Sequence, residues 1–378
     1  MIVIFATSIP FIKQHEIDMY VSSISTVAQV RLWDLSLIYK RQDDNVTDIV
    51  SNREIVSDIF DFEEKLNESC ALDKVFFVTN ILVTHLNKIY KCLKKRNVPI
   101  ININKEGLAA WLSYSATLKY KESKPFSAKY RFKSIIKTNS RLRILYKRIM
   151  FGQAKYDYLL SSYNFFPEDS KRFIQIHNIK YDEYISALDS INIIDEEYIL
   201  FIDAALAGHP MLSRTGNALD EKAYIQSLNT YFKSLEELYK IPVIISAHPK
   251  SLYNDDTFAG RKIIKYKTPE LVQHCKFIIS HYSTSLINAV LLKKPIKVLT
   301  SNDLENSATR SSILMALEFA DRLKLDVIDL DNPVFTDFVI NESIYEDFTN
   351  KFILNINRVD KSNHQLIIEF FEELDRKI

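Results

Sequence analysis

The chain has 378 residues, 47% apolar and 26% charged, with a formal net charge of +1. That balance describes a folded globular protein and excludes a disordered or generally nucleic-acid-binding chain. The length exceeds one ordinary core, so two domains are expected. Cys70, Cys92 and Cys275 stand far apart without C-x-x-C spacing, which argues against structural zinc and predicts a reducing compartment. The opening MIVIFATSIPF lacks a basic flank and an adequate apolar stretch for a signal peptide, and no run approaches the roughly 18 apolar residues of a membrane span. The predicted location is the cytoplasm.

In chain order, short apolar strands alternate with helical stretches. Strands are predicted at Ile2–Ala6, within Val30–Ile38, and at Lys74–Val78. Asn80–Arg96 reads as an amphipathic helix ending in Lys94-Lys95-Arg96, cations suited to a helix C-terminus. Strands follow at Val98–Ile103, Tyr156–Leu160 and Phe173–Ile176. The second half repeats the pattern: Tyr198–Asp203, a helix around Ala223–Tyr239, then Val243–Ser246, Ile263–Ile264, Phe277–Ser280, Ile296–Leu299 and Val327–Asp329. Such alternation predicts α/β architecture with parallel, doubly wound sheets. The expected division is an N-terminal Rossmann-like domain over 1–185, a nucleotide-sugar-binding Rossmann-like domain over 195–345, and C-terminal helices over 346–378. Tyr181–Glu197 is the expected join. Two such domains facing a cleft make the GT-B arrangement.

Ligands of open α/β sheets bind beyond the carboxyl ends of strands, so the strand-end loops are the candidate sites. After Val98–Ile103 come Asn104-Lys105-Glu106-Gly107. Gly107 is one of only five glycines; it permits a turn presenting Glu106 as a general base, although Glu is equally at home at a helix start. After Tyr198–Asp203, Asp203 either holds loop N–H groups or faces the cleft. His209, further along in Gly208-His209-Pro210, is either a substrate donor or a surface residue. His248-Pro249-Lys250 follows Val243–Ser246, where proline fixes the turn and His248 and Lys250 can donate to phosphate. Arg261 follows Gly260 as a further cleft candidate. Thr268 and Pro269 fit an N-cap and first helical position, with Glu270 next as either a first-turn carboxylate or an acceptor for ribose hydroxyls.

The segment KFIISHYSTSLINAVLL, Lys276–Leu292, is read as a strand, a polar elbow and a helix. His281 opens the elbow, and Ser283, Thr284 and Ser285 lie at the helix mouth. Unpaired first-turn N–H groups there attract an anion, unless one hydroxyl is simply the cap. Asp329-Leu330-Asp331 has the form of a metal loop but runs into Asn332-Pro333, which reads as a turn; no metal is expected. Between Leu118 and Met150 eleven Lys/Arg stand against a single Glu, interleaved with aromatic and aliphatic residues. That stretch reads as contact with an anionic membrane surface or acceptor, or as a solvated helical excursion.

An acidic residue with Gly after a strand of the first half, His-Pro after a strand of the second, and a Ser/Thr cluster opening a helix resemble three motifs of bacterial sialyltransferases and polysialyltransferases. Tyr198–Leu304, with FIDAALAGHP, AHPKS, GRKIIKYKT and HYSTS in order, is also similar to surface-polysaccharide glycosyltransferases. The resemblance covers about a third of the chain well, and Lys105 stands where the first acidic residue of that family lies. It implies metal-independent inverting transfer from a CMP-activated acidic sugar, sialic-acid-like or Kdo-like, to a glycan or lipid-linked acceptor of capsule or lipopolysaccharide. Glu106 would then take the acceptor proton, His248 would assist the departing phosphate, and Ser283–Ser285 would bind it. The alternatives are a UDP-sugar transferase or epimerase and a non-catalytic sugar-nucleotide-binding subunit.

Overall fold

The computed structural model describes residues 1–41, 48–104, 108–109, 111–113, 115–116, 154–165, 167–206, 218–249 and 251–377. The chain divides into two compact units, the first drawn from 1–107, 125–179 and 355–378 and the second from 108–124 and 180–354. The first differs from the expected 1–185 because the last helix returns to it.

In the first unit, strands β1 (Ile2–Thr7), β2 (Gln29–Asp34), β3 (Glu54–Ile55), β4 (Val75–Thr79), β5 (Ile100–Ile103), β6 (Tyr156–Ser161) and β7 (Ser170–Gln175) form one sheet in the order β3-β2-β1-β4-β5-β6-β7. Every pairing is parallel. Because side chains alternate along a strand, β1 sends Ile2, Ile4 and Ala6 to one core and Val3 and Phe5 to the other. Helices Ile59–Leu72 and Val83–Lys95 cover the first face. The second is closed by Val21–Ile24 and by the C-terminal helix Asn363–Lys377, whose Leu366, Ile367, Phe370, Phe371 and Leu374 are buried there. A buried histidine fastens that return: His177 Nδ1 accepts from Asn355 N–H at 3.0 Å, so Nε2 donates toward the Arg358 and Lys361 carbonyls.

In the second unit, β8 (Ile199–Ile202), β9 (Val243–Ala247), β10 (Ile263–Lys265), β11 (Phe277–Ser280), β12 (Ile296–Thr300) and β13 (Val327–Asp329) form a sheet in the order β10-β9-β8-β11-β12-β13, again all parallel. Counted along the chain this is 3-2-1-4-5-6, the doubly wound Rossmann order. The join read as a linker includes the helix Lys180–Leu188, which buries Tyr181 and Ala187. Two all-parallel sheets of this order are the two domains of a GT-B-like fold. No helix among the described residues is long and apolar enough to cross a membrane.

Candidate functional site

In the second sheet the order of strands reverses between β8 and β11, and in open α/β sheets the carboxyl ends of strands at such a point, with those of their neighbours, form the crevice where ligands bind. The sequence puts a polar segment at each. After β8, Asp203 is buried, with one oxygen accepting from the Ala205 N–H at 2.9 Å and the Tyr253 hydroxyl at 3.2 Å. Its other oxygen accepts from the His248 N–H at 3.2 Å. Burial pushes this carboxyl above the usual range, while the two N–H groups, the Tyr253 hydroxyl and the charge of Lys265 pull it back. Of the two roles open to Asp203, the geometry gives it the first: it latches the loop after β8 to the loop after β9.

The β9 loop is laced further. The His248 carbonyl accepts from the Ser251 N–H at 2.9 Å and hydroxyl at 2.7 Å, and the Ser251 carbonyl accepts from Lys265. His248 is half-buried and Pro249 exposed. Ser246 and Thr268 share a hydroxyl–hydroxyl hydrogen bond of 2.7 Å. Thr268 therefore does not cap its helix, and the helix Thr268–His274 has no side-chain cap at Lys267.

Two features of the elbow after β11 differ from the sequence expectation. His281 is fully buried rather than turned to a ligand. The Leu299 carbonyl, 2.8 Å from Nδ1, can only accept, so the ring proton sits on Nδ1 and Nε2 accepts from the Tyr224 hydroxyl at 2.7 Å. Burial drives the imidazole pKa down to about 4 against the pull of that carbonyl, and His281 is a neutral fastener between β11, β12 and the helix Glu221–Tyr239. The second difference lies at the helix Leu286–Leu291. Its first N–H groups, at Leu286, Ile287 and Asn288, donate to the carbonyls of Ser283, Thr284 and Ser285 at 3.1–3.2 Å, and the Ser285 N–H donates to the Ser283 hydroxyl. Tight 3₁₀ turns have closed the helix mouth, leaving Ser283, exposed Thr284 and Ser285 to present hydroxyls rather than a nest of N–H groups.

Asp203, His248, Pro249 and Ser283–Ser285 thus gather at one end of one sheet. Arg261 does not: it precedes β10, at the amino end, where it donates to both oxygens of Glu236 at 2.9 and 2.7 Å and to Asn229 and the Phe258 carbonyl at 3.1 Å. Glu270 lies in the first turn after β10 with its carboxylate 2.8 Å from Lys267. Asp331 accepts from the Asn302 N–H and Asp329 from the Asp331 N–H, the contacts of a turn. Glu106, Gly107, His209, Lys250 and all of 118–150 lie outside the described residues. Tyr224 and Tyr253, which hold His281 and Asp203, had no sequence signal. Nor had Tyr266, an exposed residue at φ 62° directly after β10; a bulky side chain in the left-handed region is unusual enough to mark the position.

No protein-family model matches the chain, and no curated protein matches it in sequence. Among solved structures it is similar to the UDP-GlcNAc 2-epimerase of Methanocaldococcus jannaschii, 12% identical over 98% of this chain and 100% of that one, at a TM-score of 0.49. It is also similar to a Phytolacca americana glycosyltransferase complexed with UDP-2-fluoro-glucose and pterostilbene, with 9% identity, coverage of 99% and 93%, and a TM-score of 0.46. A third is the spinosyn forosaminyltransferase, with 16% identity, coverage of 99% and 95%, and a TM-score of 0.41.

Proposed function

We propose that the second unit binds the nucleotide of a sugar nucleotide and that the chain is a glycosyltransferase. The observation that carries this reading is the switch point between β8 and β11, with Asp203 tying Ala205 after β8 to His248 after β9 and the hydroxyls of Ser283–Ser285 following β11. His248 then offsets charge on the leaving phosphate. The hydroxyls of Ser283, Thr284 and Ser285 donate to its oxygens, since the N–H groups behind them are committed. The exposed ring of Tyr266 stands two strands out from β8, about 10 Å at ordinary strand spacing, a span matched by a nucleoside between phosphate and base. Glu106 is the proposed base for the acceptor hydroxyl, transfer is by single displacement without a metal, and the acceptor is a cell-surface or lipid-linked glycan. The basic stretch 118–150 is proposed to face an anionic membrane or acceptor.

The test is a thermal-shift panel of CMP, UDP, GDP and dTDP, with and without EDTA, on the protein and on His248→Ala. A bound nucleotide raises the melting temperature by mass action. Stabilisation by one nucleotide that weakens in His248→Ala supports the reading, and stabilisation by none overturns it. A preference for CMP goes with the acidic-sugar donor suggested by the sequence motifs. A preference for UDP goes with a UDP-sugar transferase or epimerase, told apart by whether the sugar leaves the nucleotide. Absence of even slow donor hydrolysis would leave a binding subunit.

A further inference from the structure

The first sheet reverses its strand order between β1 and β4, so its own carboxyl end is a second place where the fold presents a ligand site. Ser8 follows β1 directly. His85 lies in the first turn of the helix Val83–Lys95 that follows β4. Arg41 comes after β2 and the short helix Ser36–Tyr39, turned back over this end by Lys40 in the left-handed region (φ 53°). Its guanidinium reaches both others: Nη1 donates to the Ser8 hydroxyl at 3.3 Å, and Nη2 lies 3.5 Å from His85 Nδ1. A guanidinium has no acceptor, so His85 Nδ1 takes that contact as an acceptor and the neutral ring carries its proton on Nε2.

Two cations stand at this end of the sheet with opposite employment. Arg53 is spent on Asp34, at 3.0 Å. Arg41 is exposed, and among the described residues no carboxylate pairs with it. The short helix that precedes it is tied to the helix Val83–Lys95: the Tyr39 hydroxyl donates to the His85 carbonyl at 3.0 Å, and Lys88 donates to the Ile38 carbonyl at 2.7 Å, which places a second cation nearby. A guanidinium beside a hydroxyl and an imidazole, with no carboxylate paired to it among the described residues, matches the planar two-oxygen geometry of an oxyanion.

We propose that Arg41, with Ser8 and His85, forms an anion site of the first unit that takes a carboxylate or phosphate group. Its assignment to an acidic or phosphorylated acceptor rests on the transferase reading; the anion site itself does not. Isothermal titration of the full chain with inorganic phosphate and with glucuronate, at constant ionic strength, tests it on the unmodified protein, Arg41→Gln, Arg41→Lys and His248→Ala. Saturable binding that weakens about tenfold or more in Arg41→Gln, recovers partly in Arg41→Lys and persists in His248→Ala is the expected result. Tighter phosphate binding marks a phosphorylated ligand, and tighter glucuronate binding an acidic sugar. No saturable binding by the unmodified protein, or an Arg41→Gln affinity within twofold of it, overturns the proposal. Nucleotide affinity measured on the same variants separates the two sites: failure to bind any nucleotide while Arg41-dependent anion binding persists sinks the transferase reading alone.

Discussion

Each of the two sheets ties its first two strand-end loops together with one buried aspartate, and the two latches are built differently. Asp34, at the end of β2, accepts from the N–H groups of Phe11 and Ser36 and is neutralised by Arg53. Asp203, after β8, accepts from Ala205, His248 and Tyr253 and has no ion-pair partner among the described residues. A buried carboxylate without a counter-charge is costly, and Asp203 shows it in a raised pKa. Pairing the aspartate with arginine closes a latch and uses up a charge. Holding it with two N–H groups and a hydroxyl closes the latch without an ion pair. The second unit's latch thus takes up no arginine, whereas the first unit's latch takes up Arg53, and Arg41 stands apart from it.

The comparison is broken hardest by removing Asn363–Lys377. Five large apolar side chains leave the first unit's core, each worth about 1.5–3 kcal/mol, so the loss is on the scale of a domain's whole stability. Hydrogen exchange should show β1, β4 and β5 unprotected while β8, β9 and β11 keep their protection; loss in all six would mean that the units are one cooperative block. Next in size is Asp203→Ala. It orphans the N–H groups of Ala205 and His248, at about 1–3 kcal/mol each, and should lower nucleotide affinity by about tenfold, with anion binding at Arg41 unchanged in the same titrations.

A third prediction concerns pH. His281 titrates at about 4 when folded and 6.5 when exposed, so the unfolded chain takes up this proton first as pH falls. Its contribution is whole above 6.5 and drains away down to about 4, by about 3 kcal/mol in all. Urea unfolding across that range should show this slope in the native protein and not in His281→Gln; parallel curves would mean that the imidazole is solvated. Smallest is Glu270→Gln. An exposed pair with Lys267 is worth about 0.5 kcal/mol or less, and nucleotide affinity should not move; a clear loss of affinity would return Glu270 to the ribose.

The sequence made the parallel strands legible because they are buried on both faces and read as short apolar runs between helices, as at Phe277–Ser280 and Ile296–Thr300. It hid β3, whose two residues, Glu54 and Ile55, carry no pattern. The strand-end rule placed His248 and Asp203 correctly on the carboxyl side, and it would have placed Arg261 on the amino side, since that residue precedes its strand. What no local pattern could reveal was the claim laid on His281 from two directions, by Leu299 on the next strand and Tyr224 on a helix far upstream. The closed helix mouth was hidden for a related reason: Ser-Thr-Ser is compatible with open N–H groups and with 3₁₀ turns alike, and backbone geometry decides.

The return of the C-terminal helix bears on how the chain acquires its structure during synthesis. β1 precedes the rest of its sheet, yet one face of that sheet is covered only in part, by Val21–Ile24 and its neighbours, until Asn363–Lys377 leaves the ribosome. By then the whole of β8 to β13 has emerged, with its own helices already in hand. The order of completion is therefore the reverse of the order of translation: the second sheet can close while the first waits with the core of Val3, Phe5 and Phe76 still incomplete. A nascent chain in that state is a natural client for chaperones, and its most vulnerable moment comes at the last helix.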